Sequence, residues 1–323
     1  MDLHPTDEQI ALSDMAQKAL ADGFPISAAC THPATDTAWC KIAGLGLTGV
    51  LASEECGGSE LTAVEACLIA HEAGRTLAPV SLLWAIIAAR AASLAGDTAI
   101  AAQLTTGELL PALEIHTASR RMLAGCPGAE IILSVSPEQT SLRRRQPGNT
   151  ITALPCVDQT TGLEISPPDA EPVSECAGPE IWLTSSLLIS AAQTGIARKM
   201  LDMAVEHGQM RIQFGKPIGS FQAVRHVCSE MARRVEASQS LVRYAAVRLS
   251  ANHAEAPDTI AAARVIATDA AARNGSETLQ ILGAMGMTAE HDLHLYIKRA
   301  LLLERVLGRQ RAELLELAAP ASA

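Results

Sequence analysis

The sequence predicts a mainly α-helical protein in which a small β-rich segment separates two helical regions. Apolar residues recur at helical spacing through residues 1–115 and again through residues 179–323. In residues 116–178, Pro and Gly are frequent and short β-branched stretches occur. Only 2% of the 323 residues are aromatic, so the core must consist of aliphatic side chains, which suit closely packed helices. We therefore predict three domains with these boundaries.

The first domain is predicted to be helical. Thr6 precedes Asp7 and Glu8, and a threonine followed by acidic residues is a typical helix start. Residues 61–96 carry apolar side chains at helical spacing, with an interruption at Pro79.

The middle domain is predicted to be a small sheet. Residues 130–136, 149–158 and 163–168 are the stretches that we interpret as strands. The basic run 143–145, three arginines, lies between them and is interpreted as a solvated loop rather than a phosphate-binding patch.

The last domain is predicted to be a four-helix bundle. Its Ala-rich periodic segments cover residues 183–209, 220–253, 256–284 and 288–318. An order of helices, strands and helices is shared by many proteins, so it does not specify a function.

Composition excludes several classes of function. The net charge of −10 argues against nucleic-acid binding, which needs a basic face. The apolar stretch 79–95 is interrupted by Arg90 and is too short to span a membrane. The amphipathic first segment does not resemble a signal peptide. The eight cysteines form no CxxC pair and are interpreted as reduced thiols of a cytoplasmic protein rather than as disulfides.

A metal site is conceivable at His291 and His294, which stand three residues apart beside acidic residues. No third group of ligands is visible in the sequence. Packing and capping are therefore the roles predicted for the two histidines, and no metal is predicted.

Five stretches, taken in order, resemble motifs of the acyl-CoA dehydrogenase family. They are LGLTGVLASEECGGSEL (45–61), HEAGRTLAP (71–79), RIQFGKPIGSFQAV (211–224), ETLQILGAMGM (277–287) and DLHLYIKRA (292–300). In the first stretch, Ser53 stands where the family has proline. The resemblance implies the family's fold, with an N-terminal helical domain, a β-domain and a C-terminal four-helix bundle. It also implies oxidation of an acyl-CoA thioester between Cα and Cβ, with FAD as the hydride acceptor.

The resemblance also implies a set of FAD contacts. In the family, the C-terminal domain of one subunit contacts the pyrophosphate and adenosine of FAD bound by its neighbour. The matching positions here are Arg211, Phe214, Gln222, Gln280, Ile281, Leu282, Gly283 and Ala284. A forked guanidinium suits a phosphate group, and glycine allows close approach of the backbone. The alternatives are a helix-end arginine, a core phenylalanine and an ordinary helix C-cap.

The family's catalytic carboxylate has no match at either of its two usual places. One place falls on Leu307 and the other on Ser185, and neither side chain removes a proton at neutral pH. Glu304 and Glu180 are either displaced bases or solvated surface residues. The middle domain is also shorter than the family's β-domain and lacks its flavin-contacting loop. We therefore predict no catalytic residue in this chain.

The leading hypothesis is a subunit that pairs with a homologous subunit carrying the catalytic glutamate, as in bacterial degradation of steroid side chains. A tetramer of two such pairs would accept acyl-CoA and pass electrons to electron-transfer flavoprotein or a similar acceptor. The first alternative is a homomeric dehydrogenase with a displaced base. The second is a non-catalytic scaffold that has lost flavin.

Overall fold

The computed structural model describes residues 3–29, 36–117, 120–146, 148–168 and 171–308. Within these ranges the chain has the predicted mainly α-helical architecture. A helical N-terminal region leads into a single six-stranded sheet, and a helical bundle follows.

The N-terminal region has five helices. They are α1 (Asp7–Gly23), α2 (Asp36–Gly44), α3 (Ala63–Thr76), α4 (Ser81–Leu94) and α5 (Thr98–Thr105). The predicted start of α1 is confirmed, because the Thr6 hydroxyl accepts a hydrogen bond from the Gln9 backbone N–H and the Gln9 side-chain oxygen accepts one from the Thr6 backbone N–H. Helix α4 is buried on nearly all sides, since it contacts both the sheet and the long helix α6 (Glu180–Met210).

The sheet has six strands in the order β5-β2-β1-β3-β4-β6. They are β1 (Pro111–His116), β2 (Arg121–Gly125), β3 (Ile131–Val135), β4 (Gln139–Arg144), β5 (Gly162–Ile165) and β6 (Pro172–Ala177). Among hydrogen-bonded neighbours in this sheet, β1 and β3 form the one parallel pair, and the other four pairs are antiparallel. The predictions at 130–136 and 163–168 correspond to β3 and β5, whereas 149–158 is irregular apart from one bridge at Ala153. Strand β1 starts five residues before the predicted domain boundary.

The interpretation of residues 143–145 as a solvated loop was wrong. The run overlaps the end of β4, and strand alternation sends Arg143 and Arg145 to the same face. There Arg143 pairs with Glu114 and Arg145 pairs with Glu164. Although burial opposes ionisation, the Ser166 hydroxyl and Arg143 hold the pKa of Glu114 below its usual value. The run therefore helps to hold the sheet together.

The C-terminal bundle consists of four helices. After α6 come a two-stranded hairpin, β7 (Ile212–Gln213) and β8 (Lys216–Pro217), then α7 (Gln222–Ser250), α8 (Ala256–Leu282) and α9 (Leu293–Arg305). These helices confirm the four predicted segments, although residues 309–318 of the last prediction lie outside the described ranges.

Buried polar bonds fix the relative directions of the three long helices. The Asn274 amide donates to the Ala197 carbonyl at 3.1 Å, and the Thr278 hydroxyl donates to the Met200 carbonyl at 2.9 Å, so α8 runs parallel to α6. The Thr194 and Ser238 hydroxyls lie 2.6 Å apart, and α7 runs antiparallel to both. The end of α6, the start of α7 and the end of α8 therefore lie together at one end of the bundle.

A buried ion pair joins the three regions of the chain. Arg299 on α9 donates to Asp158, in the loop before β5, with 2.5 Å between Nε and Oδ2. The same guanidinium donates to the carbonyl of Ala78, which follows α3, at 2.7 Å. Asp158 also accepts bonds from the hydroxyls of Thr160 and Thr161 at 2.6 and 2.8 Å. Arg299 and these bonds keep the Asp158 pKa below its usual value, although burial alone would raise it.

Three further observations concern the described residues. None of their helices is both long and apolar enough to cross a membrane. Their seven cysteines form no disulfide bond with one another. The Nδ1 atom of His291 accepts a hydrogen bond at 3.1 Å from the backbone N–H of Leu293, so this histidine caps the start of α9 as predicted.

Candidate functional site

The segments that carry the predicted FAD contacts meet at the end of the bundle defined above. Arg211 and Phe214 belong to the β7–β8 hairpin, Gln222 begins α7, and Gln280–Ala284 closes α8. The sequence separates these segments by up to about seventy residues, and the antiparallel and parallel packing of the helices brings them to one surface. We call this surface the bundle end.

The hairpin is a tight turn that directs Phe214 away from the protein. The Arg211 backbone N–H ends α6 by donating to the His207 carbonyl at 2.9 Å, and the Arg211 carbonyl accepts from Ile218 at 2.8 Å. Phe214 and Gly215 both adopt positive φ angles, 53° and 79°. Phe214 is consequently 92% exposed, which overturns the alternative that it is a core residue.

Arg211 lies at the end of α6, in agreement with the alternative that it is a helix-end arginine. Its side chain is nevertheless available to a ligand. The residue is exposed, and within the described ranges its guanidinium makes no hydrogen bond or ion pair. An exposed forked donor of this kind can bind a phosphate group without first giving up a protein partner. Gln222 is also exposed, with its amide nitrogen 3.3 Å from Nε2 of His226.

The segment 280–284 has both an inward and an outward side. Leu282 is buried and Ile281 packs against the core, so these side chains hold the segment in place. Gln280, Gly283 and Ala284 are exposed. Gly283 caps α8 with φ of 60°, and no atom would lie within 4 Å of a Cβ at this position. The alternative that this segment is a helix C-cap is therefore confirmed. The open space beside Gly283 also leaves the exposed backbone accessible to a ligand.

Large apolar side chains surround these polar groups. Besides Phe214, the exposed ones at the bundle end are Met210, Ile212, Met285 and Met287. Several large exposed apolar side chains at one end of a domain are typical of an interaction site.

The two positions that the resemblance matches to the family's catalytic carboxylate are both buried. Leu307 is buried just after α9, and the neighbouring Gly308 carbonyl accepts from buried Arg264 at 3.3 Å. Ser185 is fully buried, and its hydroxyl donates to the Ile181 carbonyl of its own helix at 2.6 Å.

The two displaced candidates differ from each other. Glu180 begins α6 and pairs with Arg90 at 2.6 Å. Glu304 is half-buried on α9 and has no hydrogen-bond or ion-pair partner within the described ranges.

Two further titratable residues, His207 and His291, were not among the predicted FAD contacts. His207 lies one turn before Arg211 on α6, and His291 lies in the connection between α8 and α9. Partial burial lowers the pKa of His207, and the nearby charges of Arg211 and His291 lower it further. Their proximity depends on the α6–α8 packing, so no local motif could have indicated it.

Comparisons with known proteins agree with this architecture. The family model of the acyl-CoA dehydrogenase N-terminal domain matches residues 6–103, and that of the C-terminal domain matches residues 185–319. The acyl-CoA dehydrogenase IpdE2 of Mycobacterium tuberculosis is 30% identical over 259 residues, which are 79% of this chain and 77% of that protein. The chain therefore belongs to the acyl-CoA dehydrogenase family.

Two further comparisons concern chain length and fold. The acyl-CoA dehydrogenase FadE34 of Mycobacterium tuberculosis is 32% identical over 325 residues, covering 91% of this chain but only 45% of FadE34. The crystal structure of the ChsE4–ChsE5 complex from the same organism aligns with a TM-score of 0.82 at 21% identity, covering 99% of this chain and 100% of that chain. The second likeness confirms the fold.

Proposed function

We propose that this chain is a subunit of an FAD-dependent acyl-CoA dehydrogenase and contributes the part of the FAD site that serves a neighbouring subunit. The observation that carries the proposal is the bundle end, where an available guanidinium, an exposed glutamine and an open glycine backbone lie among exposed apolar side chains. These are the groups that a dinucleotide held between two subunits requires.

The residues of this chain fit one half of an FAD molecule. Arg211 would bind the pyrophosphate through paired N–H donors, and Gln222 and Gln280 would bind neighbouring polar groups. The exposed backbone of Gly283 and Ala284 would approach the cofactor closely. Phe214 would pack against an apolar part of the cofactor or partner. When bound, FAD supplies the acceptor for the hydride that leaves Cβ of the thioester.

The proposal assigns the catalytic base and the flavin-ring site to a homologous partner subunit. Leu307 and Ser185 occupy the two positions where the family has its carboxylate, and neither can act as a general base. FadE34 is consistent with such a pair, because more than half of its length lies outside the match and leaves room for a second unit of similar size. The ChsE4–ChsE5 structure is a complex of two proteins.

The proposed substrate is an acyl-CoA thioester, with the CoA ester of a steroid side chain as the class favoured by the sequence resemblance. The proposed electron acceptor is electron-transfer flavoprotein or a similar protein. We further propose a cytoplasmic heterotetramer built from two pairs of unlike subunits.

One observation favours a second candidate function, a homomeric dehydrogenase with a displaced base. Glu304 lies three residues before Leu307 and is half-buried without a partner in the described part of the chain. Glu180 is a weaker candidate, since its carboxylate already accepts hydrogen bonds from Arg90.

Co-expression with and without a candidate partner tests these assignments. The purified samples would be assayed with a panel of acyl-CoAs, including steroid side-chain thioesters, and an artificial electron acceptor. The proposal predicts flavin and turnover only in the complex, and Glu304→Gln there should act like wild type. Robust turnover by the single chain, abolished by Glu304→Gln, would instead establish the homomeric enzyme. A complex without flavin would identify a scaffold.

A further inference from the structure

Side-chain hydrogen bonds join α6, α7 and α8 shortly before the bundle end. Asn274 on α8 is fully buried. Its amide nitrogen donates to the Ala197 carbonyl on α6 at 3.1 Å and to the Met231 carbonyl on α7 at 3.4 Å. Its amide oxygen accepts from Nε of Arg234 on α7 at 3.1 Å. One side chain therefore fixes the level at which the three long helices pack.

A partly buried ion pair extends this cluster towards the bundle end. Nη2 of Arg234 donates to the carboxylate of Glu277, and 11% of the Arg234 side chain and 32% of the Glu277 side chain are exposed. Glu277 lies on α8, three residues after Asn274 and three residues before Gln280. A helix rises about 1.5 Å per residue, so Glu277 stands about 4.5 Å along the axis from the first predicted FAD contact on α8. We call Asn274, Arg234 and Glu277 the α7–α8 tie.

The α7–α8 tie is the last polar link between these two helices before the predicted FAD contacts. Within the described ranges, no side-chain hydrogen bond or ion pair joins α7 to α8 between Glu277 and the bundle end. The next residue, Thr278, donates to the Met200 carbonyl and so holds α8 to α6 alone. Among the polar contacts, the spacing between Gln222 at the start of α7 and Gln280 at the end of α8 therefore depends on the tie.

We propose that the α7–α8 tie positions the end of α8 so that its FAD contacts and those of α6 and α7 reach the same cofactor. The inference rests on the proposed function, because it assumes that the bundle end receives FAD. Groups from three separate segments bind one ligand tightly only when supporting contacts hold them in place beforehand. Arg234 and Glu277 are not among the FAD contacts, so both are positioning residues.

The test compares FAD affinity in the wild-type complex and in three variants. Each complex of this chain with its partner subunit is freed of flavin and titrated with FAD, followed by flavin fluorescence. Arg234→Gln and Glu277→Gln each remove the ion pair and should weaken FAD binding about threefold to tenfold, the range expected when a segment must be ordered on binding. The double variant should bind no more weakly than either single variant, because both changes remove the same contact.

The sign of the Glu277→Gln effect separates positioning from a direct action of charge. If the two charges acted directly on the FAD pyrophosphate, loss of the Arg234 guanidinium would weaken binding, whereas loss of the Glu277 carboxylate would tighten it. Positioning predicts weaker binding in both variants. Tighter or unchanged binding by Glu277→Gln would overturn the inference.

Ser238→Ala is the matched control for a general loss of packing. Ser238 lies on α7 one turn further from the bundle end, and its hydroxyl contacts that of Thr194 on α6. The Thr194 hydroxyl keeps its bond to the Ser190 carbonyl at 2.9 Å, so the substitution leaves this buried group paired. Because Ser238 is outside the tie, the control should bind FAD within about twofold of wild type. A loss equal to that of the tie variants would overturn the inference.

Gel filtration and Arg211→Ala complete the experiment. Arg234→Gln and Glu277→Gln should remain assembled with the partner subunit. Dissociation of either variant complex would overturn the inference, because loss of flavin would then follow from loss of the partner. If Arg211→Ala weakens FAD binding and the tie variants do not, this inference alone fails. If Arg211→Ala leaves FAD affinity unchanged, the proposed function itself fails.

Discussion

Substituting Asp158 with asparagine should destabilise the protein far more than the same change at the surface. The carboxylate is fully buried and its partner Arg299 is 3% exposed. Asp158→Asn preserves the shape but leaves a buried guanidinium without a counter-ion. Removal of one partner from a buried ion pair costs about 3–5 kcal/mol, a large part of the 5–15 kcal/mol typical of whole proteins. The ion pair also joins three regions, so its loss should loosen the middle sheet.

The assay is urea denaturation followed by circular dichroism, with Asp269→Asn as the matched control. Asp269 pairs with Arg273 on the exposed face of α8, and such surface pairs contribute at most about 1 kcal/mol. With a slope of about 3 kcal/mol per molar urea, Asp158→Asn should lower the midpoint by about 1 M or more. Equal and small shifts for the two variants would refute the claim that this pair holds the regions together.

Three further predictions follow from other contacts. Gly195→Ala should destabilise the protein by more than about 3 kcal/mol in the same assay, because a Cβ at this position would lie 1.9 Å from the His71 carbonyl oxygen and force α3 away from α6. A wild-type urea midpoint for this variant would contradict the close packing of α3 against α6. The Asp158 pKa is lowered on folding, so the contribution of this carboxylate to the free energy of unfolding is present above about pH 4 and disappears as pH falls through the folded pKa. The stability difference between wild type and Asp158→Asn should therefore shrink below pH 4. A difference that stays constant with pH would contradict this reasoning. Arg211→Ala should weaken FAD binding about 10-fold to 100-fold, because it removes a charge-assisted hydrogen bond, and the helical circular dichroism should not change. An unaltered flavin content in the variant complex would show that Arg211 is not part of the site.

The helices could be predicted from sequence because their periodic signal is long. Helices α6, α7 and α8 each extend over more than twenty-five residues. Over that length, the spacing of apolar residues distinguishes a helix from a strand. Strands β1, β2, β4 and β6 were missed because their sequences contain few β-branched residues. Pairing with neighbours and burial against α4 determine their structure, and neither is visible locally.

The sequence likewise predicted only part of the candidate site. The resemblance to the family identified Arg211, Gln222 and the 280–284 segment, and their binding of FAD remains a prediction. The exposure of Phe214 depends on the positive φ angle of a tight turn, which the apolar character of phenylalanine does not reveal. The convergence of the α6–α7 hairpin and the end of α8 depends on the packing of α6 beside α8, so only the three-dimensional structure could indicate it.

The most direct test of the shared FAD site is the flavin content of the purified complex. Flavin absorbance would be set against the protein concentration of each chain, measured on the co-expressed and gel-filtered complex. One FAD for each pair of unlike chains, hence two in a tetramer of two pairs, is the predicted result. One FAD for every chain in the complex, or a homomer of this chain alone with full flavin occupancy, would show that its short middle domain completes a site by itself and would contradict the account.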